Sequence, residues 1–200
     1  MNPQSVSLPD PRSPATRRPV SGAAETRRAT FRLPTCLPAL LAFCLLLVTS
    51  AALAEEWVDG KVVSVSDGDT AVVETTKSEI LRVRFYGVDA PETANRNWPE
   101  QPYSREAKVF MTQLIGGKAV RVRLTGDKTY GREVGEIFVG ERSASQEIVR
   151  AGLAWWNSKY ARKDTALKQL QQEARQAKRG LWQDRKPVAP WKHRAHWRGK

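Results

Sequence analysis

The chain has 200 residues and a formal net charge of +12, and its two cysteines, Cys36 and Cys44, both lie in the N-terminal quarter. A domain that begins after them has no thiol, which excludes cysteine nucleophiles and thiolate zinc sites. The positive charge favours a polyanionic partner such as nucleic acid, anionic lipid or cell-wall polymer, but charge alone does not choose among these.

The first 54 residues have the composition of a targeting segment. Residues 1–32 are rich in Pro, Ser, Thr and Arg and predict a disordered leader, because they cannot bury enough apolar surface to offset their ordering entropy. Residues 33–54 contain an uncharged apolar run that ends in small residues, which predicts a signal peptide cleaved after Ala54. The alternative is an uncleaved membrane anchor, because the run approaches the length of a spanning helix.

Cleavage would leave one domain, residues 55–186, followed by a basic, tryptophan-containing tail at residues 187–200. Six arginines and two acidic residues lie before residue 55, so 27 lysines and arginines against 19 acidic residues remain. We expect such a protein to be exported to the periplasm or the extracellular medium, to have no stable association with the membrane, and to be a monomer.

Hydrophobic periodicity predicts alternating short strands and helices after residue 55. Strands are expected at residues 57–65, 70–75, 80–86, 118–124 and 134–139, and helices at residues 104–115, from the cap Ser143 to Ala151, and from the cap Asp164 to Gly180. Five short strands and three helices in one domain predict an α+β fold, a five-stranded OB-fold β-barrel with three packed helices.

Four short charged motifs stand beside turn-forming residues. They are Asp67-Gly68-Asp69-Thr70, Arg84, Asp89-Ala90-Pro91-Glu92-Thr93 and Tyr130-Gly131-Arg132. Carboxylates are hard oxygen ligands for a divalent cation, and the planar guanidinium group fits a phosphate in a bidentate way. Each motif by itself also has a plain structural interpretation as a turn or a solvated charge.

Taken together and in order, the motifs resemble the thermonuclease (staphylococcal-nuclease-like) family. The stretch 148–154 is similar to the second helix of that family, and Gly180-Leu181-Trp182 and Pro190-Trp191 are similar to the ends of its exported bacterial members. The resemblance covers nearly all of residues 57–193. It implies a calcium-dependent phosphodiesterase on an OB barrel.

The resemblance also implies a metal site. Asp69 and Asp89 would bind Ca²⁺ directly, and the backbone carbonyl of Ala90 would be a third ligand, at a position where the family often has threonine. Asp67 would orient Asp69 or a bound water. Irregular oxygen coordination suits Ca²⁺, but the sequence leaves Mg²⁺ and Mn²⁺ open.

The remaining roles concern the substrate. By resemblance, Glu92 would position or deprotonate the attacking water, while Arg84 and Arg132 would clamp the phosphate. Lys128 and Tyr130 are weaker candidates for substrate contacts, and Tyr160 is a candidate for stacking on a base.

These observations predict an exported, Ca²⁺-dependent, sugar-non-specific nuclease. It would hydrolyse DNA and RNA, preferably where they are single-stranded or frayed, and the family resemblance implies that it leaves 3′-phosphates. Two alternatives remain open: an OB-fold module that binds nucleic acid without cutting it, and an envelope-tethered protein that binds a polyanion.

Overall fold

A computed structural model of the protein describes residues 55–198. The predicted leader, the signal peptide with cleavage after Ala54, the anchor alternative and both cysteines lie outside the described residues. Within residues 55–198, no helix combines the length and the apolar composition needed to cross a membrane.

The described residues form eight strands, two of them long and three very short. They are β1 (Glu56–Asp67), β2 (Thr70–Thr75), β3 (Ile80–Phe85), β4 (Val88–Asp89), β5 (Ala119–Thr129), β6 (Arg132–Val139), β7 (Arg142–Ser143) and β8 (Trp155–Trp156). The helices are α1 (Ser104–Ile115), α2 (Ala144–Arg150), α3 (Thr165–Gln176) and α4 (Pro190–Trp197), with a 3₁₀ turn at Gly180–Gln183.

The main sheet closes into a barrel. Its strands follow the order β3-β2-β1-β5-β6, with β7 beside β6. Neighbours in this order pair antiparallel, and β3 closes the barrel by pairing parallel with β6, where Val83 faces Glu133 and Phe85 faces Gly135. The five-stranded OB-like barrel predicted from the sequence is therefore confirmed.

The interior of the barrel is filled by side chains at alternate positions along the strands. Most of the side chains that point inward are valine, isoleucine or phenylalanine. Those that are almost completely buried include Val62, Val73, Val83, Phe85, Val122 and Ile137. Register irregularities in β1, between Val62 and Ser64 and between Val65 and Asp67, let this long strand curve around the core. Helix α1 packs against β1 and α2, and α2 packs against α3.

Two predicted helix caps are confirmed. The Ser143 hydroxyl accepts a hydrogen bond from the Gln146 amide, and the Asp164 carboxylate accepts one from the Leu167 amide. A fourth helix, α4, was not expected. Pro190 occupies its first turn, where proline is well tolerated, but the helix has no continuous apolar stripe that would signal it in the sequence.

We expect Met111→Ala to lower the free energy of unfolding by about 2–5 kcal/mol, because Met111 is fully buried between α1 and the barrel. Val109→Ala, on the exposed side of the same helix, is the matched control and should change stability by less than about 0.5 kcal/mol. Urea denaturation of both variants measures this difference, and equal losses would contradict the packing described.

Candidate active site

The turn between β1 and β2 brings an aspartate into the barrel wall. The Asp69 amide donates to Asp67 Oδ1 at 3.0 Å, which fixes the tight turn. A Cβ atom on Gly68 would lie 2.6 Å from the Ala90 Cβ and 2.8 Å from the Ala107 Cβ. Glycine at this position therefore lets the turn pack directly against the loop of the second acidic motif and against α1.

The second acidic motif is held by its own small sheet. Val88 pairs with Trp156 and Asp89 pairs with Trp155 in the β4–β8 ladder. The Trp155 ring in turn packs edge-on against Trp182, with ring centroids 4.4 Å apart. Asp89 is fully buried.

One arginine joins the two aspartates. Arg84 Nη1 lies 3.0 Å from Asp69 Oδ2, and Arg84 Nη2 lies 2.9 Å from Asp89 Oδ1. The same Nη1 donates to the Val88 carbonyl at 2.9 Å. The structure therefore places Arg84 between the two predicted metal ligands, with its guanidinium group bonded to both carboxylates.

Asp69 is held in an environment that disfavours its charge. Burial raises the pKa of Asp69 well above its usual range, the charge of Arg84 opposes this shift, and the carboxylates of Asp67 and Asp89 add to it. The Ala90 amide donates to Asp69 Oδ2 at 2.6 Å, so the backbone of Ala90 lies against this carboxylate. Ligation of a metal by the Ala90 carbonyl stays a prediction.

Glu92 lies in the loop after β4, and hydrogen bonds with Gln101, near the end of that loop, fix its backbone. The Glu92 amide donates to Gln101 Oε1 at 3.2 Å, and the Gln101 amide donates to the Glu92 carbonyl at 2.9 Å. Burial raises the pKa of Glu92, and its hydrogen bond with Arg194 opposes the shift. Glu92 is thus a partly buried carboxylate beside the aspartates.

Arg194 is a site residue that the sequence did not point to. It belongs to α4, more than 100 positions after Asp89, and its guanidinium group bonds both Asp89 and Glu92. The mixture of basic and aromatic residues in this segment predicted only a basic tail. One signal that was available is Pro190 followed by four residues with no glycine, which permits a helix start at this point.

Arg132 joins the site through a hydroxyl. Its Nη1 donates to Thr70 Oγ1 at 3.2 Å, and that hydroxyl donates to Asp69 Oδ1 at 3.2 Å. The β5–β6 turn places Arg132 opposite Thr129, next to the edge of the barrel where β2 begins. The second predicted arginine is therefore linked to Asp69 through the Thr70 hydroxyl.

The weaker substrate candidates make other contacts. Lys128 pairs with Glu133 at 2.6 Å, and Tyr130 is 95% exposed at the tip of the β5–β6 turn. Tyr160 is exposed, and the Lys159 ammonium lies over its ring. Within the described chain, none of the hydrogen bonds or ion pairs links these three residues to the aspartates.

The donor chemistry of the site fits a hard divalent cation. Between residues 55 and 198, no cluster of three or more His, Cys, Asp or Glu side chains is already spaced as a metal cage. Asp69 Oδ1 and Asp89 Oδ2 each take part in a single hydrogen bond, and a carboxylate oxygen accepts two. Each aspartate thus retains acceptor capacity for an ion while its arginine stays bound.

The sequence is also similar to those of known proteins. Residues 82–184 match the family described as "Staphylococcal nuclease homologue". An "Uncharacterized endonuclease" of Escherichia coli O157:H7 is 40% identical over 135 residues, covering 67% of this chain and 83% of the relative. A Haemophilus influenzae "Uncharacterized endonuclease" is 28% identical over 151 residues, covering 76% of this chain and 81% of the relative.

A further match, which covers a smaller share of the relative, comes from a plant. The "Staphylococcal-like nuclease CAN1" of Arabidopsis thaliana is 31% identical over 126 residues, covering 63% of this chain and 37% of the relative.

The structure defines an OB-like barrel protein in which buried aspartates and partly buried arginines lie together at one edge. The chain belongs to the staphylococcal nuclease homologue family. The resemblance drawn from the four motifs is therefore confirmed.

Arg84→Met should destabilise the protein by about 3–5 kcal/mol, because it leaves Asp69 and Asp89 buried without the cation between them. Arg82→Met removes the same charge from an exposed position of the same strand and should cost less than about 0.5 kcal/mol. Thermal and urea unfolding of the two variants give the comparison. Similar stabilities would show that the Arg84 ion pairs do not hold the site together.

Proposed function

We propose that the protein is a Ca²⁺-dependent, sugar-non-specific nuclease that hydrolyses phosphodiester bonds of DNA and RNA and leaves 3′-phosphates. The observation that carries this proposal is the convergence of Asp69, Asp89, Glu92 and Arg84 at one edge of the barrel. Curated relatives bear the names endonuclease and staphylococcal-like nuclease, which supports the same reaction.

Asp69 and Asp89 are the residues that would hold the cation. Hard carboxylate oxygens suit Ca²⁺, which accepts irregular coordination, and the Ala90 carbonyl and waters would complete the set. When bound, the cation would neutralise part of the charge that builds on the phosphate oxygens. Asp67 would not bind the cation itself but would orient Asp69, because its carboxylate accepts a hydrogen bond from the Asp69 amide and so fixes the turn.

The arginines would face the anionic substrate. Attack on a phosphodiester adds negative charge to the equatorial oxygens, and guanidinium groups that are already fixed in place stabilise it without reorganising. Arg84 is fixed by Asp69 and Asp89, and Arg132 is fixed by Thr70. Both are held before substrate arrives, which is the property this kind of stabilisation needs.

Glu92 is the candidate for positioning or deprotonating water. Burial raises its pKa, which makes the carboxylate a stronger base than an exposed glutamate. Its backbone is fixed on both sides by Gln101, so the side chain starts from a defined place. A base in a fixed position beside the aspartates is what activation of a water next to a bound phosphate requires.

The proposed site carries little information about sequence or sugar. Its groups would contact phosphate, and phosphate contacts position a nucleic acid without reading its bases. We propose DNA and RNA as substrates, with single-stranded or frayed regions preferred, and a monomeric protein that is exported to the periplasm or medium without a stable membrane association. Tyr160, Tyr130 and Lys128 are exposed and available for substrate contacts of the sequence-tolerant kind.

The direct test is cleavage of plasmid DNA and of RNA with Ca²⁺ and then with excess chelator. Wild-type protein should cleave both substrates, and chelator should abolish the cleavage. Glu92→Gln should lower turnover by about 10²–10⁴-fold, because it removes the base while keeping the shape of the side chain. Glu141→Gln, at an exposed position in the β6–β7 turn, is the matched control and should keep full activity.

Two results would contradict the proposal. Nucleic-acid binding without cleavage in any divalent metal would indicate a non-catalytic binding module. Near-normal turnover of Glu92→Gln would remove Glu92 from the reaction while leaving the nuclease activity itself in place.

Asp69→Asn should weaken Ca²⁺ binding by at least about tenfold, because an amide oxygen is a much weaker ligand for a hard cation than a carboxylate. Isothermal titration calorimetry with Ca²⁺ measures the change directly and does not depend on activity. Asp127→Asn, an exposed position in the β5–β6 region, serves as the control. An unchanged calcium isotherm for Asp69→Asn would show that Asp69 does not ligate the ion.

A further inference from the structure

The C-terminal helix α4 is fastened to the loop that carries Glu92. Gln101 Nε2 donates to the Val188 carbonyl at 2.6 Å, just before the helix begins. His193 Nε2 lies 3.0 Å from the Pro99 carbonyl, and the Trp191 ring packs edge-on against Trp155 at 5.7 Å between centroids. The segment predicted as a basic tail is therefore docked onto the residues that flank the acidic motif.

Gln101 couples this docking to Glu92. Its side-chain oxygen accepts a hydrogen bond from the Glu92 backbone amide, and its backbone amide donates one to the Glu92 carbonyl. Its side-chain nitrogen donates a third hydrogen bond to the Val188 carbonyl. Gln101 is itself buried, with 4% of its surface exposed, so water does not compete effectively for these bonds. The backbone at Glu92 and the start of α4 thus share one buried amide side chain.

Arg194 then reaches from α4 into the acidic cluster. Its Nη2 lies 2.8 Å from Asp89 Oδ2, its Nη1 lies 3.1 Å from Asp89 Oδ1, and the same Nη1 bonds Glu92 Oε1. The guanidinium group therefore binds Asp89 through two nitrogens and joins the Glu92 carboxylate to Asp89. Within residues 55–198, the ion pair of Glu92 is supplied by Arg194.

This contact differs from an ordinary surface ion pair. The Asp89 side chain is 1% exposed and the Arg194 side chain 27%, whereas the Arg105 side chain in its pair with Glu100 is 82% exposed. Exposed pairs contribute little because water screens them, but a bidentate pair on a buried carboxylate fixes geometry. The contacts of Gln101 with Val188 and of Trp155 with Trp191 fix the position of the helix that carries the arginine.

We propose that Arg194 is a positioning residue for Glu92: it fixes the Glu92 carboxylate beside Asp89, so that the base is in place before substrate binds. This inference rests on the proposed function, because Arg194 can position a base only if Glu92 is the base. Asp89 Oδ2 accepts one hydrogen bond, from Arg194, and retains room for a second partner. Arg194 can therefore stay in place while Asp89 serves as a ligand.

The experiment compares kcat and KM for cleavage of one single-stranded oligonucleotide in saturating Ca²⁺. Arg194→Ala should lower kcat by about 10–100-fold, because a base that moves by about an ångström loses that much rate. KM should change by less than threefold. Arg194→Lys should recover part of the loss, because the ammonium keeps the positive charge but lacks the planar pair of nitrogens that binds both oxygens of Asp89. Lys192→Ala, an exposed position two residues earlier in α4, should match wild type.

The second arm repeats Arg194→Ala in a Glu92→Gln background. A residue that acts through Glu92 has nothing left to position there, so the double variant should be within twofold of Glu92→Gln alone. A general structural role would instead multiply the two losses. Thermal unfolding of every variant accompanies the kinetics, and Arg194→Lys supplies the answer if the alanine variant does not fold.

Each outcome bears on a different claim. Wild-type protein that does not cleave overturns the proposed function and the role of Arg194 with it. Active wild-type protein with an unaltered kcat for Arg194→Ala overturns the positioning role alone. Higher activity and tighter Ca²⁺ binding in Arg194→Ala also overturn it, because they would make the arginine a competitor of the cation.

Discussion

The ion pairs of Arg84 with Asp69 and Asp89 are the interaction on which the site depends. Two carboxylates buried this close repel one another and lose hydration, so they stay together only with a cation between them. The barrel supplies the placement: β2 sets Thr70 opposite Arg84, and the parallel β3–β6 pairing sets Arg84 opposite Val134. The strand that closes the barrel therefore also carries the arginine that joins the two aspartates.

Electrostatic balance explains why further arginines surround this pair. Asp67, Asp69, Asp89 and Glu92 bring four carboxylates to a region from which water is partly excluded. Arg84 and Arg194 offset part of this charge directly. The carboxylates outnumber these two arginines, which leaves the site suited to another cation and, through that cation, to an anionic substrate.

The site also depends on segments outside the barrel. The β4–β8 ladder fixes Asp89, and Trp155 in that ladder packs against both Trp182 and Trp191. The aromatic cluster thus connects the end of the chain to the strand that carries the aspartate. Elements on both sides of the loop at Glu92 therefore support the position of its side chain.

Sequence patterns were enough to predict the barrel strands, the helices at Ser104–Ile115, Ala144–Arg150 and Thr165–Gln176, and the residues of the acidic motifs. These are local features: period-two alternation, caps at Ser143 and Asp164, and short motifs next to turns leave a direct trace in the order of residues.

Sequence patterns did not predict that Arg84 lies between the aspartates or that Arg194 joins Asp89 to Glu92; these contacts are seen only in the folded chain. Such contacts join positions that are far apart in the chain, and the pairing of one charge with another depends on which surfaces the fold brings together. Helix α4 shows this most clearly, because it is held by contacts with Gln101, Pro99 and Trp155 rather than by an apolar stripe of its own.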